Sequence, residues 1–381
     1  MKVEVNKDVF SEAVSFAVKL LPQRTTLPIL SGVLISAEDN AVTISSFDYE
    51  VSAKTRVDAA VDTAGQVLVS GRLLAEIASR LPDDVVNLEL SGSSLSVKSG
   101  SAKFSLATMP IEEYPNLPEV EGIAGSIAGD EFASAVSQVA TAASRDDVTP
   151  VITGVLLDIT ASSLTMMATD RYRVAAKELA WTAAGVTEEG LQALIPARTL
   201  AEIGKTFSHA GSLTITINVG GERELVAFSS AERTVTTLLI KGSFPPVQKL
   251  FPETTSDYAV VSTSDLIEAT RRVALVLERE APLRFTFNAD GVGLEALGSD
   301  QAQASEHIDG HLVGKECVVS LKPQFLIDGL SAAHSDFVRV AFTQTDNPNK
   351  PGPVLITAQT SKDSDDSHNY RYLLQPNLLM R

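Results

Sequence analysis

The histidine-containing stretch "HIDGH" at 307–311 has the residue types in this sequence that most resemble a site for chemistry. His307 and His311, with Asp309 between them, offer ring nitrogens and a carboxylate, which are common ligands of divalent metals in proteins. The stretch has a strand-turn pattern centred on Gly310, and a solvated turn is the more usual structure for such a pattern. We therefore predict no metal site here.

The motifs of common catalytic sites are missing from the rest of the sequence. The glycines of "GVGLEALG" (291–298) lack the G-x-G-x-x-G spacing and lie in a hairpin pattern. There is no Walker-type lysine loop and no G-x-S-x-G elbow. Cys317 is the only cysteine, which excludes a disulfide within the chain, and we interpret it as a small buried apolar residue. These patterns favour a binding or scaffolding protein without catalytic residues, metal or cofactor. An enzyme with an unfamiliar site between domains stays open as an alternative.

The composition is that of a globular protein with several domains. The chain has 381 residues, of which 44% are hydrophobic and 21% charged, so two or three domains are expected. No secretory signal opens the sequence, and no apolar run reaches the roughly 18–20 residues that cross a bilayer. We therefore expect a soluble cytoplasmic protein. A formal net charge of −17 argues against nucleic acid as a partner, unless the basic residues gather on one surface.

The chain repeats itself. "PILSGVLI" (28–35) recurs as "PVITGVLL" (150–157), and the same offset of 122 places Asp48 over Asp170. "LVSGRLLAEI" (68–77) recurs as "LIPARTLAEI" (194–203) at an offset of 126, and a fainter third copy is "LKPQFLIDGLSAA" (321–333). Such drift in the offset is typical of short insertions in a duplicated domain. We predict three domains, residues 1–121, 122–252 and 253–381, separated by the Pro-rich breaks "PNLPEVEG" and "LFPETTSD".

Each repeat has the pattern strand, helix, paired strands, helix, strands, which indicates an α+β fold. The first helices are predicted at 6–21, 128–143 and 262–277, with Asn6, Asp130 and Ser264 as N-caps. A hairpin is predicted at 282–297 with its turn at "NADG". In the first two repeats a basic residue, Arg72 or Arg198, opens the second helix at the same place, which favours a functional basic face over scattered surface charge.

Several stretches together resemble the bacterial sliding clamps, the β subunits of DNA polymerase III, and "ATDRYR" is typical of the actinobacterial ones. They are "RTTLPIL" (24–30), "KFSLATMPIEEYPNLP" (103–118), "ATDRYRVA" (168–175) and "YLLQP" (372–376). The resemblance implies a non-catalytic, head-to-tail homodimeric ring of three clamp domains per chain, with helices lining a hole for duplex DNA and sheets outside. It also implies a processivity factor that tethers the polymerase, the clamp loader and repair proteins.

The resemblance also implies particular site residues. DNA would be contacted, independently of its sequence, by Arg24, Arg72, Arg198 and Lys205. The subunit interface would involve Phe104 with Leu275 and Val276, the latter two on the apolar face of a predicted helix. A pocket for short linear peptides, between domains 2 and 3, would be lined by Ile152, Thr169, Arg171, Tyr172, Arg173, Val174, Pro245, Leu250, Leu373, Gln375 and Asn377.

The sequence departs from the family near this pocket. The run "QPNL" (375–378) stands where relatives commonly have an apolar residue, proline, an apolar residue and arginine, and Val247 replaces a usual aromatic residue. Two explanations stay open. The chain is either a housekeeping clamp whose partners have adjusted, or a second clamp copy whose altered pocket rejects a clamp-directed antibiotic and so confers resistance.

Overall fold

The computed structural model describes residues 1–21, 25–184, 190–218, 223–278, 281–296, 302–343, 351–362, 364 and 369–377. Within them, each repeat has nine strands and two helices in the same order, which confirms the α+β prediction. The first repeat contains β1 (Lys2–Asn6), α1 (Lys7–Lys19), β2 (Gly32–Glu38), β3 (Ala41–Phe47), β4 (Val51–Asp58), β5 (Ala60–Thr63), β6 (Gly65–Ser70), α2 (Gly71–Ala78), β7 (Val85–Ser91), β8 (Ser94–Ser99) and β9 (Ala102–Met109).

The other two repeats follow the same plan. The second contains β10 (Ile123–Ile127), α3 (Gly129–Ala140), β11 (Gly154–Ile159), β12 (Ser163–Thr169), β13 (Arg173–Ala180), β14 (Thr182–Ala184), β15 (Leu191–Pro196), α4 (Ala197–Phe207), β16 (Leu213–Asn218), β17 (Leu225–Ser230) and β18 (Arg233–Leu238). The third contains β19 (Asp257–Ser262), α5 (Thr263–Val273), β20 (Leu283–Asn288), β21 (Gly291–Ala296), β22 (Ala304–Ile308), β23 (Gly310–Val313), β24 (Cys317–Leu321), α6 (Pro323–Ala332), β25 (Phe337–Phe342), β26 (Val354–Gln359) and β27 (Tyr370–Leu374).

The described residues form two compact units. The first consists of the first repeat with β10, β14 and β16–β18, in one sheet of order β14-β10-β16-β17-β18-β4-β3-β2-β6-β9-β8-β7-β1-β5. The second has a sheet of order β15-β11-β12-β13-β27-β26-β25-β19-β23 and a smaller one, β22-β21-β20-β24. The middle repeat thus supplies strands to both units, and the division into domains 1–121, 122–252 and 253–381 stays a prediction.

Successive repeats are joined by antiparallel strand pairs of identical register. In the first unit β4 pairs with β18, with Ala53 opposite Val235. In the second unit β13 pairs with β27, with Ala175 opposite Tyr372. The offset of 122 carries each residue of β4 onto its counterpart in β13, so five successive residue pairs correspond. The repeat in the sequence is therefore also a repeat in how one copy joins the next.

The helix ends confirm one predicted cap and correct two. Asn6 caps α1, since its side chain accepts hydrogen bonds from the amides of Asp8 and Val9. Asp130 is not a cap, because α3 already begins at Gly129, whose amide donates to the Ala210 carbonyl at 2.9 Å. Ser264 is also wrong: Ser262 caps α5 by accepting from the amide of Asp265.

The first helix of the third repeat, predicted at 262–277, is shorter than its apolar pattern indicates. The α-helix ends at Val273, and Ala274–Val276 continue as one 3-10 turn. Leu275 therefore lies outside the buried face of α5, and 83% of its surface is exposed. The hairpin predicted at 282–297 is confirmed by the pairing of β20 with β21, in which Asn288 lies opposite Gly291.

Candidate functional site

The turn between β12 and β13 carries two of the predicted pocket residues, Arg171 and Tyr172. Oδ1 of Asp170 accepts hydrogen bonds from the amides of Tyr172 and Arg173, and Arg171 has a φ of 80°. Asp48 makes the same two bonds in the first repeat, around Tyr49 with a φ of 75°. A short carboxylate that caps its own turn explains why an aspartate occurs at both places. In the second repeat this turn holds Arg171 and Tyr172 outward beside a cavity.

An apolar pocket of about 270 Å³ lies in the second unit, between the ends of β12, β13 and β27 and the segment 245–250. The structure brings ten of the eleven predicted peptide-binding residues to its walls. The lining residues are Thr149, Val151, Ile152, Thr169, Arg171, Tyr172, Arg173, Val174, Pro245, Val247, Leu250, Pro353, Leu373 and Gln375. A concave, mostly apolar site with a few polar groups is the usual form of a ligand pocket.

Asn377 is the predicted residue that does not line this pocket. Its backbone amide donates to the Ser320 carbonyl at 2.8 Å, which turns the chain after Pro376 toward β24. Gln375, by contrast, lies exposed at the pocket wall, and its backbone amide donates to the Tyr172 carbonyl at 2.8 Å. Leu378 lies outside the described residues. Of the two amide side chains that depart from the family pattern, Gln375 alone is placed where it would meet a ligand in this pocket.

A larger, polar cavity of about 950 Å³ adjoins the apolar pocket. The two share Thr149, Ile152, Arg171, Tyr172 and Arg173. The remaining wall of the polar cavity comes from the segment 143–146, the turn between β12 and β13, and the first half of α6: Ala143, Ser144, Arg145, Asp146, Asp170, Gln324, Phe325 and Asp328. Its side chains carry three arginines and three aspartates, so the formal charges of the wall cancel.

Arg173 is buried in the shared wall and carries its charge in a network of partners. Only 6% of its side chain is exposed. Its Nε donates to Asp170 Oδ2 at 2.8 Å, and its Nη1 donates to Asp328 Oδ2 at 2.6 Å and to the Tyr372 hydroxyl at 3.2 Å. Paired carboxylates are what a buried guanidinium requires, because an unpaired buried charge is costly.

The same network fixes the first turn of α6. Burial raises the pKa of Tyr372, so its hydroxyl stays protonated and donates to the Phe325 carbonyl at 2.7 Å. The Arg173 guanidinium lies 4.3 Å from the centre of the Phe325 ring. Tyr172, 58% exposed, has its ring centre 6.2 Å from that of Phe325, and Lys322 Nζ lies about equally far from both rings, at 5.5 and 5.3 Å. Aromatic and cationic groups thus form the mouth of the site.

Three of the four predicted DNA-contact residues lie on helices. Arg72 and Arg198 are each the second residue of α2 and α4, and Lys205 lies in the last turn of α4. All three are exposed. Arg24 lies outside the described residues. The repeated position of Arg72 and Arg198 follows the repeated sequence.

The predicted interface residues lie on a strand and a turn. Phe104, in β9, is half-buried and packs against the core of the first unit. Leu275 is exposed and Val276 half-buried in the 3-10 turn after α5. His307, proposed above to lie in a solvated stretch, is exposed in β22 with Nε2 3.0 Å from the Asp290 carbonyl. Within the described residues, no group of three or more His, Cys, Asp or Glu side chains is arranged to hold a metal ion.

The comparison with known families matches the three repeats one by one. Residues 1–118 match the N-terminal domain of the DNA polymerase III beta subunit, 126–246 its central domain and 248–368 its C-terminal domain. The chain belongs to this family. The sliding-clamp resemblance seen in the sequence is thereby confirmed.

Curated relatives cover most or nearly all of the chain. The "Beta sliding clamp" of Streptomyces coelicolor is 41% identical over 377 residues, 99% of each chain. That of Micrococcus luteus is 46% identical over 308 residues, 81% of this chain and 98% of its own. The "Beta sliding clamp homolog GriR" of Streptomyces muensis is 36% identical over 376 residues, 99% of each chain. The actinobacterial character predicted from "ATDRYR" agrees with the first two.

Solved structures share the fold over the full length. The DNA polymerase III subunit beta of Pseudomonas aeruginosa has a TM-score of 0.89 at 23% identity and covers 100% of both chains. A second structure of the Pseudomonas sliding clamp, bound to griselimycin, has a TM-score of 0.88 at 24% identity, again over 100% of both chains.

The described helices have at most 13 residues, too few to cross a bilayer.

Sequence reasoning missed several residues of the site. Val151 lies within the repeated "PVITGVLL" (150–157) and Thr149 directly before it, so both could have been found from that repeat. Pro353 had no such signal, and Asp328 was recognised only as the counterpart of Glu76 in the third copy of the repeat, without a role in the site. Pro353 reaches the pocket only because β26 pairs with β27, and Asp328 meets Arg173 across 155 residues of sequence.

Proposed function

We propose that this chain is a DNA sliding clamp: a non-catalytic subunit that encircles duplex DNA and tethers the replicative polymerase to it. The observation that carries the proposal is the threefold α+β repeat, each copy matching the corresponding domain of the beta subunit family. Two chains would supply six such repeats to a ring, with helices toward the DNA and sheets outside. It would act in the cytoplasm, with no metal or cofactor.

The contact with DNA would be made by basic side chains on helices. Arg72 and Arg198 occupy equivalent, exposed positions on α2 and α4, and Lys205 lies exposed in the last turn of α4. Arg24 would add a contact from outside the described residues. Contacts of this kind go to phosphates, so binding would be independent of sequence and sensitive to salt. A ring that cannot dissociate without opening needs only weak contacts, and weak contacts permit sliding.

The second copy of the chain would join through two strand edges. β22 corresponds to β4 and β13, but within the described residues it has β21 as its single neighbour. β9 corresponds to β18 and β27, and its residues 102–107 pair with β8 alone. These are the two edges that would complete a third junction like the two within the chain. Leu275 and Val276, in the turn that follows α5, and Phe104 in β9 would be buried there.

The correspondence also fixes the register of that junction. Ala53, Ala175 and Ala304 occupy equivalent places in the three repeats. Each lies four residues before the residue of its own strand that pairs with the second residue of the preceding strand, which is Val42, Leu164 or Val292. Val235 and Tyr372 lie opposite the first two alanines, and Phe104 is their equivalent in β9. Ala304 of one subunit would therefore lie opposite Phe104 of the other.

Partner proteins would dock by short linear peptides in the pocket of the second unit. The apolar pocket has room for one or two apolar side chains, and Arg171, Tyr172 and Gln375 at its walls offer polar contacts. The adjoining polar cavity would take the residues that flank them. Polymerase, clamp loader and repair proteins would compete for this site, with affinity from the apolar anchors and specificity from the polar wall.

A second candidate function concerns an inhibitor. Gln375 places an amide at the wall of the pocket, where relatives commonly have an apolar side chain. A clamp of this fold, that of Pseudomonas aeruginosa, has been solved with griselimycin bound. A chain in which Gln375 disfavours such a ligand while polymerase still binds would act as a resistance-conferring second copy of the clamp.

Primer extension tests the clamp function directly. With a clamp loader, ATP and a replicative polymerase on a primed single-stranded circle, adding the chain should lengthen the products made in one binding event. Without the loader the product length should stay at the level of polymerase alone. Products that remain short with all components present would overturn the proposal.

A further inference from the structure

Asp328 lies at the centre of the contacts that hold the wall between the two cavities of the docking site. Its Oδ2 accepts from Arg173 Nη1 at 2.6 Å, and its Oδ1 accepts from Gln324 Nε2 at 2.7 Å. Gln324, Arg173 and Asp328 itself all line the polar cavity, and Arg173 lines the apolar pocket as well. Asp328 thus contacts Gln324 on α6 and Arg173 on β13, which both belong to this wall.

The equivalent junction in the first unit has no such arginine, although its strands pair in the same register. Val51 corresponds to Arg173 and Val235 to Tyr372. The pairing of β4 with β18 shows that two repeats can be joined without an ion network at this position. Joining the strands therefore does not require the network around Arg173, which in the second unit lies in the wall of both cavities.

The network determines where the groups at the mouth of the site lie. Arg173 is held between Asp170 on one side and Asp328 on the other, and its guanidinium covers the Phe325 ring at 4.3 Å. The ring of Tyr172 lies beside the Phe325 ring, with the ring centres 6.2 Å apart. Without Asp328, Arg173 keeps Asp170 and Tyr372 but loses its bond to α6, so its guanidinium can turn away from Phe325 into either cavity.

We propose that Asp328 is a positioning residue of the docking site, which acts through Arg173 to hold open the passage between the apolar pocket and the polar cavity. The inference rests on the proposed peptide docking at this site. Its consequence is selective. Ligands that extend from the apolar pocket into the polar cavity depend on Asp328, whereas ligands confined to the apolar pocket do not.

Two synthetic peptides test this prediction. One is a blocked Leu-Phe dipeptide, and the other is a blocked hexapeptide in which four serines precede the same pair. Serines suit the polar cavity, whose formal charges cancel. Binding of both is measured by calorimetry to the wild-type chain, to D328N and to E76Q. Glu76 is the equivalent acid on α2 and lies exposed, so it is a matched control.

D328N should weaken the hexapeptide about tenfold and the dipeptide less than twofold, while E76Q changes neither. D328E, which keeps the charge, should restore the hexapeptide to within about threefold of wild type, even if D328N folds poorly. Equal losses for both peptides, as a merely structural role would give, or no loss for either, would overturn the inference while leaving peptide docking intact. Failure of the wild-type chain to bind either peptide would instead overturn the docking function, and this inference with it.

Discussion

Ala175 lies directly opposite Tyr372 where β13 pairs with β27, and both side chains are fully buried. Ala53 and Val235 repeat this small-against-large arrangement in the first unit and are equally buried. The third alanine of the series, Ala304, and the third large residue, Phe104, are both only half-buried in the single chain. Opposed residues of this kind are thus buried at two junctions within the chain. At the third, Ala304 and Phe104 each lack the opposite residue, which a second copy of the chain would supply.

The register of this intersubunit pair can be tested by cross-linking. Directly opposed residues of an antiparallel pair have Cβ atoms about 4.5–5.5 Å apart, near the range that a disulfide needs. In a C317S background, A304C combined with F104C should oxidise to a covalent dimer. S305C with F104C is the control, because its two side chains point to opposite faces of the sheet. Equal cross-linking in the two variants would contradict the register.

Leu275 offers a test of the dimer that does not disturb the fold of the chain. It is 83% exposed, so L275D should fold normally, but a carboxylate in the subunit interface would be desolvated. Light scattering should give a mass near 40.4 kDa for L275D and near twice that for the wild type. V148D is the matched control, since Val148 is 84% exposed and lies outside the proposed interface. Dissociation of both variants, or of neither, would argue against this interface.

Arg72 and Arg198 should contribute to DNA binding through phosphates. Each phosphate contact contributes about 0.9 to the slope of log K against log salt. R72A and R198A should each reduce the magnitude of this slope by about 1, with equal loss on unrelated duplex sequences. R284A is a suitable control, because Arg284 is an exposed residue on strand β20 with Glu295 as its partner. A slope unchanged in R72A and R198A would show that these helices do not face the DNA.

Gln375 should be the residue that weakens apolar ligands. Covering its amide without a partner costs about 1–3 kcal/mol, so Q375M should tighten a Leu-Phe peptide about tenfold. N377M is the control, because Asn377 does not line the pocket. Griselimycin affinity should be measured on the same variants. If Q375M tightens peptide and griselimycin by the same factor, the pocket does not discriminate between them, and the resistance role fails.

Cys317 should be a poor target for alkylation at neutral pH. Burial, with a smaller effect of Asp257, raises the pKa of its thiol from 9.0 to about 11. At pH 8 the thiolate fraction is then lower by a factor of about 100 than at the ordinary pKa. Iodoacetamide should therefore react slowly at pH 8 and faster as the pH rises toward 11. A rate that is half-maximal near pH 9 and levels off just above it, as for an ordinary thiol, would contradict this environment.

The sequence predicted the parts of the structure that are local or repeated. The three copies, the helix capped by Asn6 and the hairpin around "NADG" follow from spacing and turn residues. The caps at Asp130 and Ser264 were wrong because backbone partners from elsewhere in the fold, such as the Ala210 carbonyl, decide where those helices begin.

The candidate site divides in the same way. Family resemblance located ten of the eleven predicted pocket residues at one cavity, because they lie in recognisable motifs. It misplaced Asn377, whose backbone pairs with Ser320, and it gave no signal for Asp328. Contacts such as that of Arg173 with Asp328 depend on how β13, β27 and α6 pack, and no local pattern in the sequence encodes that packing.

The central claim is topological, and one measurement tests it most directly. The chain is loaded onto nicked circular plasmid by a clamp loader with ATP, the complex is isolated by gel filtration, and the DNA is then cut once with a restriction enzyme. A sliding clamp should stay on the uncut circle and be lost from the linear molecule, from whose ends it slides. Equal retention on circular and linear DNA, or no retention on the circle, would contradict the account.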